Sequence, residues 1–312
     1  MALHEIPLER RTLHGHFSRD LEPILVVDPG DSIAFSCLMA GWRDAAGEPY
    51  AERRPEGVEL DAGHALVGPV EVRGARAGQT LEVRIDEIRV GSWGVTHAGG
   101  WHTPLNERLG LVEGETEVVD WELDGDAGIG RDGAGRQVAL RPFLGVIGMP
   151  PAEPGVHSTA PPRPCGGNID CKELVAGTSL YLPIAVDGAL LSAGDGHAAQ
   201  GDGEVSQLAI EAPLDRALLT LSVRDDLPLT APVAWTPGAW LTFGFDPDLD
   251  EAAAIAIEGM LDLMEREHGL GRREALALAS AVVDLRVTQL VNGARGIHAV
   301  LPHEAIRFPT IP

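Results

Sequence analysis

The densest run of chemically capable side chains is Ser192-Ala193-Gly194-Asp195-Gly196-His197-Ala198-Ala199-Gln200-Gly201-Asp202-Gly203-Glu204. Asp195 and His197 are two residues apart, as are Asp202 and Glu204, so on extended backbone each pair projects to one side. The interleaved glycines tolerate backbone angles that other residues avoid, and a loop built from them can bend until the two pairs converge. Three carboxylates and an imidazole gathered so closely repel unless a cation sits among them, and a divalent metal is the expected occupant. A carboxylate left out of the ligand set is then available as general base. The competing reading is a solvated turn. Four glycines alternating with potential ligands, directly after the apolar strand predicted over Tyr181 to Leu191, favour a Gly-Asp-rich site loop instead.

Upstream, Gly166-Gly167-Asn168-Ile169-Asp170 adds an amide and another carboxylate, although the same residues are ordinary turn chemistry. His16, in His14-Gly15-His16, and His64, in Asp61-Ala62-Gly63-His64-Ala65-Leu66-Val67-Gly68-Pro69, are further imidazoles. Spacing pairs neither with His197, and an isolated histidine is more often structural than a ligand. For His97, His102 and His157 the structural reading is favoured.

The elements that must carry these residues read as short strands. Pro29-Gly30-Asp31-Ser32-Ile33-Ala34-Phe35, Ala77-Gly78-Gln79-Thr80-Leu81-Glu82-Val83, Ala176-Gly177-Thr178-Ser179-Leu180-Tyr181-Leu182 and Pro237-Gly238-Ala239-Trp240-Leu241-Thr242-Phe243 each place a glycine turn before apolar alternation. Further strands are predicted over 69–72, 81–90, 138–140, 208–211 and 217–223. Helix is confined mainly to the C-terminal quarter, from an Asp248 or Asp250 cap to about His268 with Gly269 as the stop, and again from Arg272. Beyond Val283 the pattern fits strand and helix alike. Six prolines between Met149 and Ile169 exclude regular structure there, and so long a loop inside a compact fold usually has a task. The predicted class is mainly β, sandwich- or barrel-like, with a small α+β C-terminal part. The predicted organisation is a β-rich part over 1–150 and a second over 151–312 carrying the site, the two open to being one intertwined domain.

Composition narrows the partners. The 312 residues hold 24 Lys+Arg against 47 Asp+Glu, a formal net charge of -23, which disfavours nucleic acid and anionic membranes. The longest apolar stretch is broken by Pro183 and Asp187, so no membrane span is expected, and Met1 to Asp20 has no signal-peptide core. Three cysteines are too few for a disulfide framework. A cytoplasmic protein is the expectation.

Gly15-His16, Val27-Asp28-Pro29-Gly30-Asp31, Gly63 to Pro69, Gly74-Ala75-Arg76-Ala77-Gly78, Gly166 to Asp170, Gly194 to Glu204 and a closing Val283-Asp284-Leu285-Arg286-Val287 together resemble the acetamidase/formamidase family in order and relative placement. The resemblance covers about His14 to Pro302, with Gly194 to Glu204 its most specific motif. It implies a mostly β architecture and hydrolysis of short aliphatic amides to carboxylate and ammonia, with a divalent metal in the site. The chain looks like a compact version of longer relatives, and Phe17-Ser18-Arg19-Asp20 departs from the tryptophan-containing sequence of several members. A small amide is the expected ligand, and a homo-oligomer, a dimer first, the expected assembly.

Lysine-dependent amidase chemistries find little support, because Lys172 is the sole lysine and its neighbours Cys171 and Glu173 diverge from it along the chain. No Gly-x-Ser-x-Gly elbow is present either. The expected mechanism therefore places a zinc ion on Asp195 and His197, aided by Asp170, His16 or His64, with calcium a candidate second ion. Glu204 is the expected base, Asn168 or Gln200 the group that holds the oxyanion or the amide nitrogen, and Asp202 a second ligand or the partner that orients His197. The resemblance also makes Asp44 a candidate carboxylate, because such families place an acid soon after the first β-hairpin, with a turn the other reading. The alternatives are a non-catalytic calcium-binding β-sandwich, or hydrolysis of another C–N substrate on the same scaffold.

Overall fold

Each of the four glycine turns opens a strand, because the apolar residues behind it alternate and one face finds a core. The structure, a computed structural model, describes residues 1–53 and 61–307. One sheet of nine strands runs in the spatial order β1 (Leu3–Ile6), β4 (Ser32–Cys37), β16 (Leu214–Arg224), β6 (Thr80–Val90), β13 (Thr178–Pro183), β17 (Val233–Trp235), β18 (Ala239–Asp246), β20 (Arg295–Pro302) and β19 (Asp284–Gln289). In β6, Leu81, Val83 and Ile85 point into the core while Arg84 faces solvent. Each buried aliphatic side chain of this kind contributes roughly 1.5–3 kcal/mol.

The second sheet has eleven strands: β10 (Gln137–Ala139), β9 (Ile129–Asp132), β8 (Glu117–Asp124), β7 (Trp93–Ala98), β15 (Ile210–Glu211), β14 (Leu191–Ala199), β11 (Phe143–Gly148) and β12 (Gly166–Asn168), with β5 (Leu66–Val72) also on β14 and carrying β2 (Leu13–His14) and β3 (Leu25–Val27). The two sheets share one buried core, and β14 packs against β4 and β6. Residues before and after 150 interleave strands in both sheets.

Besides the six-residue α1 (Pro104–Leu109), two helices follow β18. α2 (Leu249–His268) is capped by the Asp248 carboxylate, which accepts from the amides of Asp250 and Glu251, and ends at left-handed Gly269. Its Ala252, Ala256, Met260, Leu263 and Met264 pack against β18 and β20. α3 (Arg272–Val282) stops where Val283 turns extended, so the ambiguous segment resolves as β19, hydrogen-bonded along β20. Among the described residues no helix is long and apolar enough to cross a membrane.

Two expectations change. The apolar strand predicted over Tyr181 to Leu191 is broken after Pro183 by a turn in which Gly188, Ala189 and Leu190 all have positive φ, and β14 starts only at Leu191. The proline-rich stretch is irregular as expected except for β12 and two isolated bridges, Phe17 with His157 and Arg163 with Gly166.

Candidate active site

The Gly-Asp-rich segment is not a loop through Ala199. Leu191 to Ala198 are all buried in β14, and the glycines serve close approach rather than bending. A Cβ on Gly194 would collide with the Ala65 carbonyl, and one on Gly196 with the Ala212 carbonyl. Along one edge β14 pairs with β11, from Ser192 opposite Gly148 to His197 opposite Phe143. Along the other it pairs first with β5, up to Gly194 opposite Leu66, and then with β15, from His197 opposite Glu211. Asp195 sits at that change of partner with φ 62, a left-handed conformation that Asp tolerates better than most residues.

Five side chains meet there. Nε2 of His197 lies 3.4 Å from Asp195 Oδ1 and 3.3 Å from Glu211 Oε1. Ligand atoms of Asp170, Asp195 and His197 lie within 4.8 Å of one another, as do those of His197, Glu204 and Glu211. All five residues are buried. Asp170 arrives from the turn after β12, where the amides of Ile169 and Asp170 both donate to the Gly145 carbonyl. Its Oδ2 accepts from Asn292 Nδ2 at 2.6 Å. Glu204 follows Gly203, which is tied to β19 by hydrogen bonds with Thr288 and Leu290. Gln200 Oε1 meets His197 Nδ1 at 3.0 Å and its Nε2 donates to the Asp170 carbonyl at 2.8 Å, so this amide orients both. The Phe143 ring stands edge-on to the imidazole with centroids 4.9 Å apart.

The electrostatics follow from burying four carboxylates around one imidazole. Burial, joined by Glu204, pushes the Asp170 carboxyl well above its ordinary range. Burial likewise lifts Glu204 to about 8, Glu211 and Asp195 adding to it against His197. Burial opposes ionisation of Asp195 too, but His197 and His64 beside it hold that carboxyl down at about 2. Although burial favours a neutral ring, Glu211 and Asp195 hold the His197 imidazole well above its usual value. The protein alone thus keeps protons on some carboxyls to relieve repulsion. Oδ1 of Asp170, Oδ1 of Asp195, Oε2 of Glu204 and Oε2 of Glu211 are buried without a hydrogen-bond partner, which is costly unless something else meets them.

Of the residues singled out from sequence, Asp170, Asp195, His197 and Glu204 converge, with Gln200 beside them. Asn168 lies on β12, buried, its Oδ1 also without a partner. Asp202 turns away to the surface, 3.0 Å from Lys172 Nζ, because exposed Asp202 finds a cation there while Glu204 turns inward. His64 contacts Thr159 Oγ1 through Nδ1 at 2.8 Å, and His16 is buried next to His14. Among the described residues neither joins a group of three ligand atoms within 4.8 Å. Asp44 caps an exposed turn, accepting from the amides of Ala46 and Glu48.

Sequence reasoning missed Glu211 and Gly145. The signal for Glu211 was an acid inside the apolar run Leu208-Ala209-Ile210-Glu211-Ala212, on a segment already predicted as a strand. Gly145 carries no side chain, and only the register shows its part: a Cβ there would meet Asp170 Oδ1 at 2.7 Å and collide with Asp195.

A groove of about 320 Å³, lined by Gln200, Glu204, Trp121, Thr96, Val205 and Ile210, borders the cluster at Glu204. A larger surface cavity of about 620 Å³, between Arg89 and Asp124, touches none of the five cluster residues.

With this geometry in view, likeness to known proteins is informative. The profile of the Acetamidase/Formamidase family matches residues 4–158 and 152–224. The formamidase of Methylophilus methylotrophus is 24% identical over 249 residues, 62% of this chain and 60% of that protein. The acetamidase of Mycolicibacterium smegmatis is 26% identical over 253 residues, 62% of this chain and 61% of its own. The alignments thus span about three fifths of these curated relatives. The crystal structure of an acetamidase from Bacillus halodurans superposes with a TM-score of 0.83 at 29% identity, covering 96% of this chain and 98% of that one.

Proposed function

The chain belongs to the acetamidase/formamidase family, and from that premise we propose that it is an amidase that hydrolyses short aliphatic amides, formamide- or acetamide-like, to carboxylate and ammonia. The observation that carries the reading is the buried cluster of Asp170, Asp195, His197, Glu204 and Glu211 beside a small groove. Hydrolytic sites need acid–base groups with displaced pKa values in a place that excludes bulk water, and these residues supply both.

The cluster also fits a divalent cation. Four buried carboxylate oxygens lack hydrogen-bond partners, and an oxygen-rich set with one imidazole suits zinc, while the carboxylates alone suit calcium. Asp170, Asp195, His197 and Glu211 are the residues that would hold it, which leaves Glu204 as the base. Such an ion supplies Lewis acidity, polarising an amide carbonyl and acidifying water.

The chain's own groups have the following roles. Glu204 borders both groove and cluster, and a carboxyl whose pKa is lifted to about 8 can take a proton from the attacking water and return it to the departing amine near neutral pH. The unpartnered Asn168 Oδ1 can accept from the substrate amide nitrogen. Gln200, with both amide ends engaged, keeps His197 and the Asp170 turn in place. Buried Phe143 restricts the imidazole to one orientation.

The test is ammonia release from formamide and acetamide by the purified protein, with metal analysis of the same sample. Turnover of at least one short amide is expected, lost on exhaustive chelation and restored by zinc. No ammonia from any short aliphatic amide rejects the amidase reading, and full activity in a verified metal-free sample rejects the cation.

A further inference from the structure

A second group of donors lies outside the carboxylate cluster and has no part in the chemistry above. Cys171 and Glu173 flank Lys172 just after the Asp170 turn, and His298 projects from the middle of β20. One ligand atom from each lies within 4.8 Å of the others. Cys171 Sγ is 3.2 Å from Glu173 Oε2, and His298 Nε2 is 3.7 Å from the same oxygen. Bonds of 2.0–2.3 Å in a tetrahedral zinc site put ligand atoms roughly 3.4 Å apart, so these separations bracket the edge of such a tetrahedron.

The surroundings are arranged as metal ligands require. His298 is fully buried, and its Nε2 makes no hydrogen bond. Its Nδ1 lies 2.8 Å from Thr288 Oγ1; donated to that oxygen, the Nδ1 proton leaves the Nε2 lone pair facing Cys171 and Glu173. Glu173 Oε1 accepts from Arg286 at 3.2 Å, so one carboxylate oxygen is anchored and the other is free to ligate. Cys171 is fully buried.

We propose that Cys171, Glu173 and His298 form a second metal site, for a borderline-soft divalent ion of the zinc class, distinct from the carboxylate cluster in its thiol donor and in drawing on β20. Thiolate and imidazole select zinc over calcium or magnesium. Binding forms a sulfur–metal bond and releases the Cys171 thiol proton to solvent, so thiolate and carboxylate together balance the dication. The ion ties β20 to the segment that starts at Asp170, and it would brace that turn from behind. A plain hydrogen-bonded trio, with the thiol donating to Glu173, accounts for the 3.2 Å contact but gives the buried Nε2 nothing to do.

Cobalt(II) titration of the full chain distinguishes these. The five cluster residues carry no sulfur, so thiolate-to-cobalt charge-transfer absorption reports on a cysteine, and Cys37→Ala, which should keep the band, separates Cys171 from the buried Cys37 near Asp195. The band should appear in the wild type, persist in Cys165→Ala, vanish in Cys171→Ser and need at least ~10-fold more cobalt in His298→Gln. Absence of the band in the wild type, its survival in Cys171→Ser, or unchanged affinity in His298→Gln overturns the site. If the variants do not fold, X-ray absorption of the zinc-loaded wild type decides: a sulfur scatterer at about 2.3 Å supports the site, and a shell of oxygen and nitrogen alone rejects it.

Discussion

Gly145 stands directly opposite Asp195 in the β11–β14 pairing, where Leu144 faces Gly196 and Val146 faces Gly194. The carboxyl groups of Asp195 and Asp170 occupy the space that a side chain at residue 145 would need. Gly145→Ala should therefore fold but displace both carboxylates. A displacement of about 1 Å costs on the order of 100-fold in rate, and kcat/KM for amide hydrolysis should fall by at least that much while far-UV circular dichroism stays native. Wild-type kinetics would show that the two carboxylates do not set the rate.

Glu211 stands 3.3 Å from His197 Nε2 and is held by the Ala209 amide at 3.1 Å. Whether it ligates directly or orients the imidazole, Glu211→Gln should weaken divalent metal affinity or activity about 10–100-fold. Isothermal titration of chelated protein, paired with kinetics, reads both quantities. No change in either removes Glu211 from the site.

A cation that relieves four crowded carboxylates binds the native state alone, and should raise stability by about 2.7 kcal/mol at a hundredfold excess over its dissociation constant. Thermal melts of chelated protein with and without zinc test this. Asp195→Asn keeps a residue suited to the left-handed backbone at φ 62 yet removes a charge, so the zinc-induced rise in Tm should shrink. An undiminished rise would place the stabilising ion elsewhere.

His14 is buried, with Nδ1 at 2.7 Å from the His16 carbonyl and Nε2 at 3.0 Å from Ser192 Oγ. Burial lowers its pKa to about 4, so the native state binds fewer protons than the unfolded one between pH 6.5 and 4. Its contribution to stability is present above pH 6.5 and is lost as pH falls through about 4, by up to about 3 kcal/mol. Urea unfolding at pH 7 and pH 4 should show a steeper loss in the wild type than in His14→Gln. Equal losses would mean that His14 does not titrate across this window.

Much of this was legible in the residues. Glycine turns before alternating apolar runs marked β4, β6, β13 and β18, and Asp248 and Gly269 marked the ends of α2, because caps and turns are local chemistry. Four of the five cluster residues were also visible. Glycine itself misled at Gly194 and Gly196: a residue that permits bending also permits neighbouring backbone to come close, and sequence does not say which. Asp202 was indistinguishable from Glu204 until the turn at Gly203 sent one outward to Lys172 and the other inward. Glu211 and Gly145 joined the cluster only through strand register, a long-range property.

The change of partner along β14, from β5 to β15 at Asp195, bears on how the protein acquires its activity. Asp170, Asp195, Glu204 and Glu211 come from separate segments that meet only when β5, β11, β14 and β15 have paired. Such non-local pairings form slowly because loop closure must precede their reward. Catalytic competence should thus be among the last properties regained on refolding, trailing the recovery of β-sheet signal, and the site cannot be transplanted as a loop, since its scaffold is the junction itself.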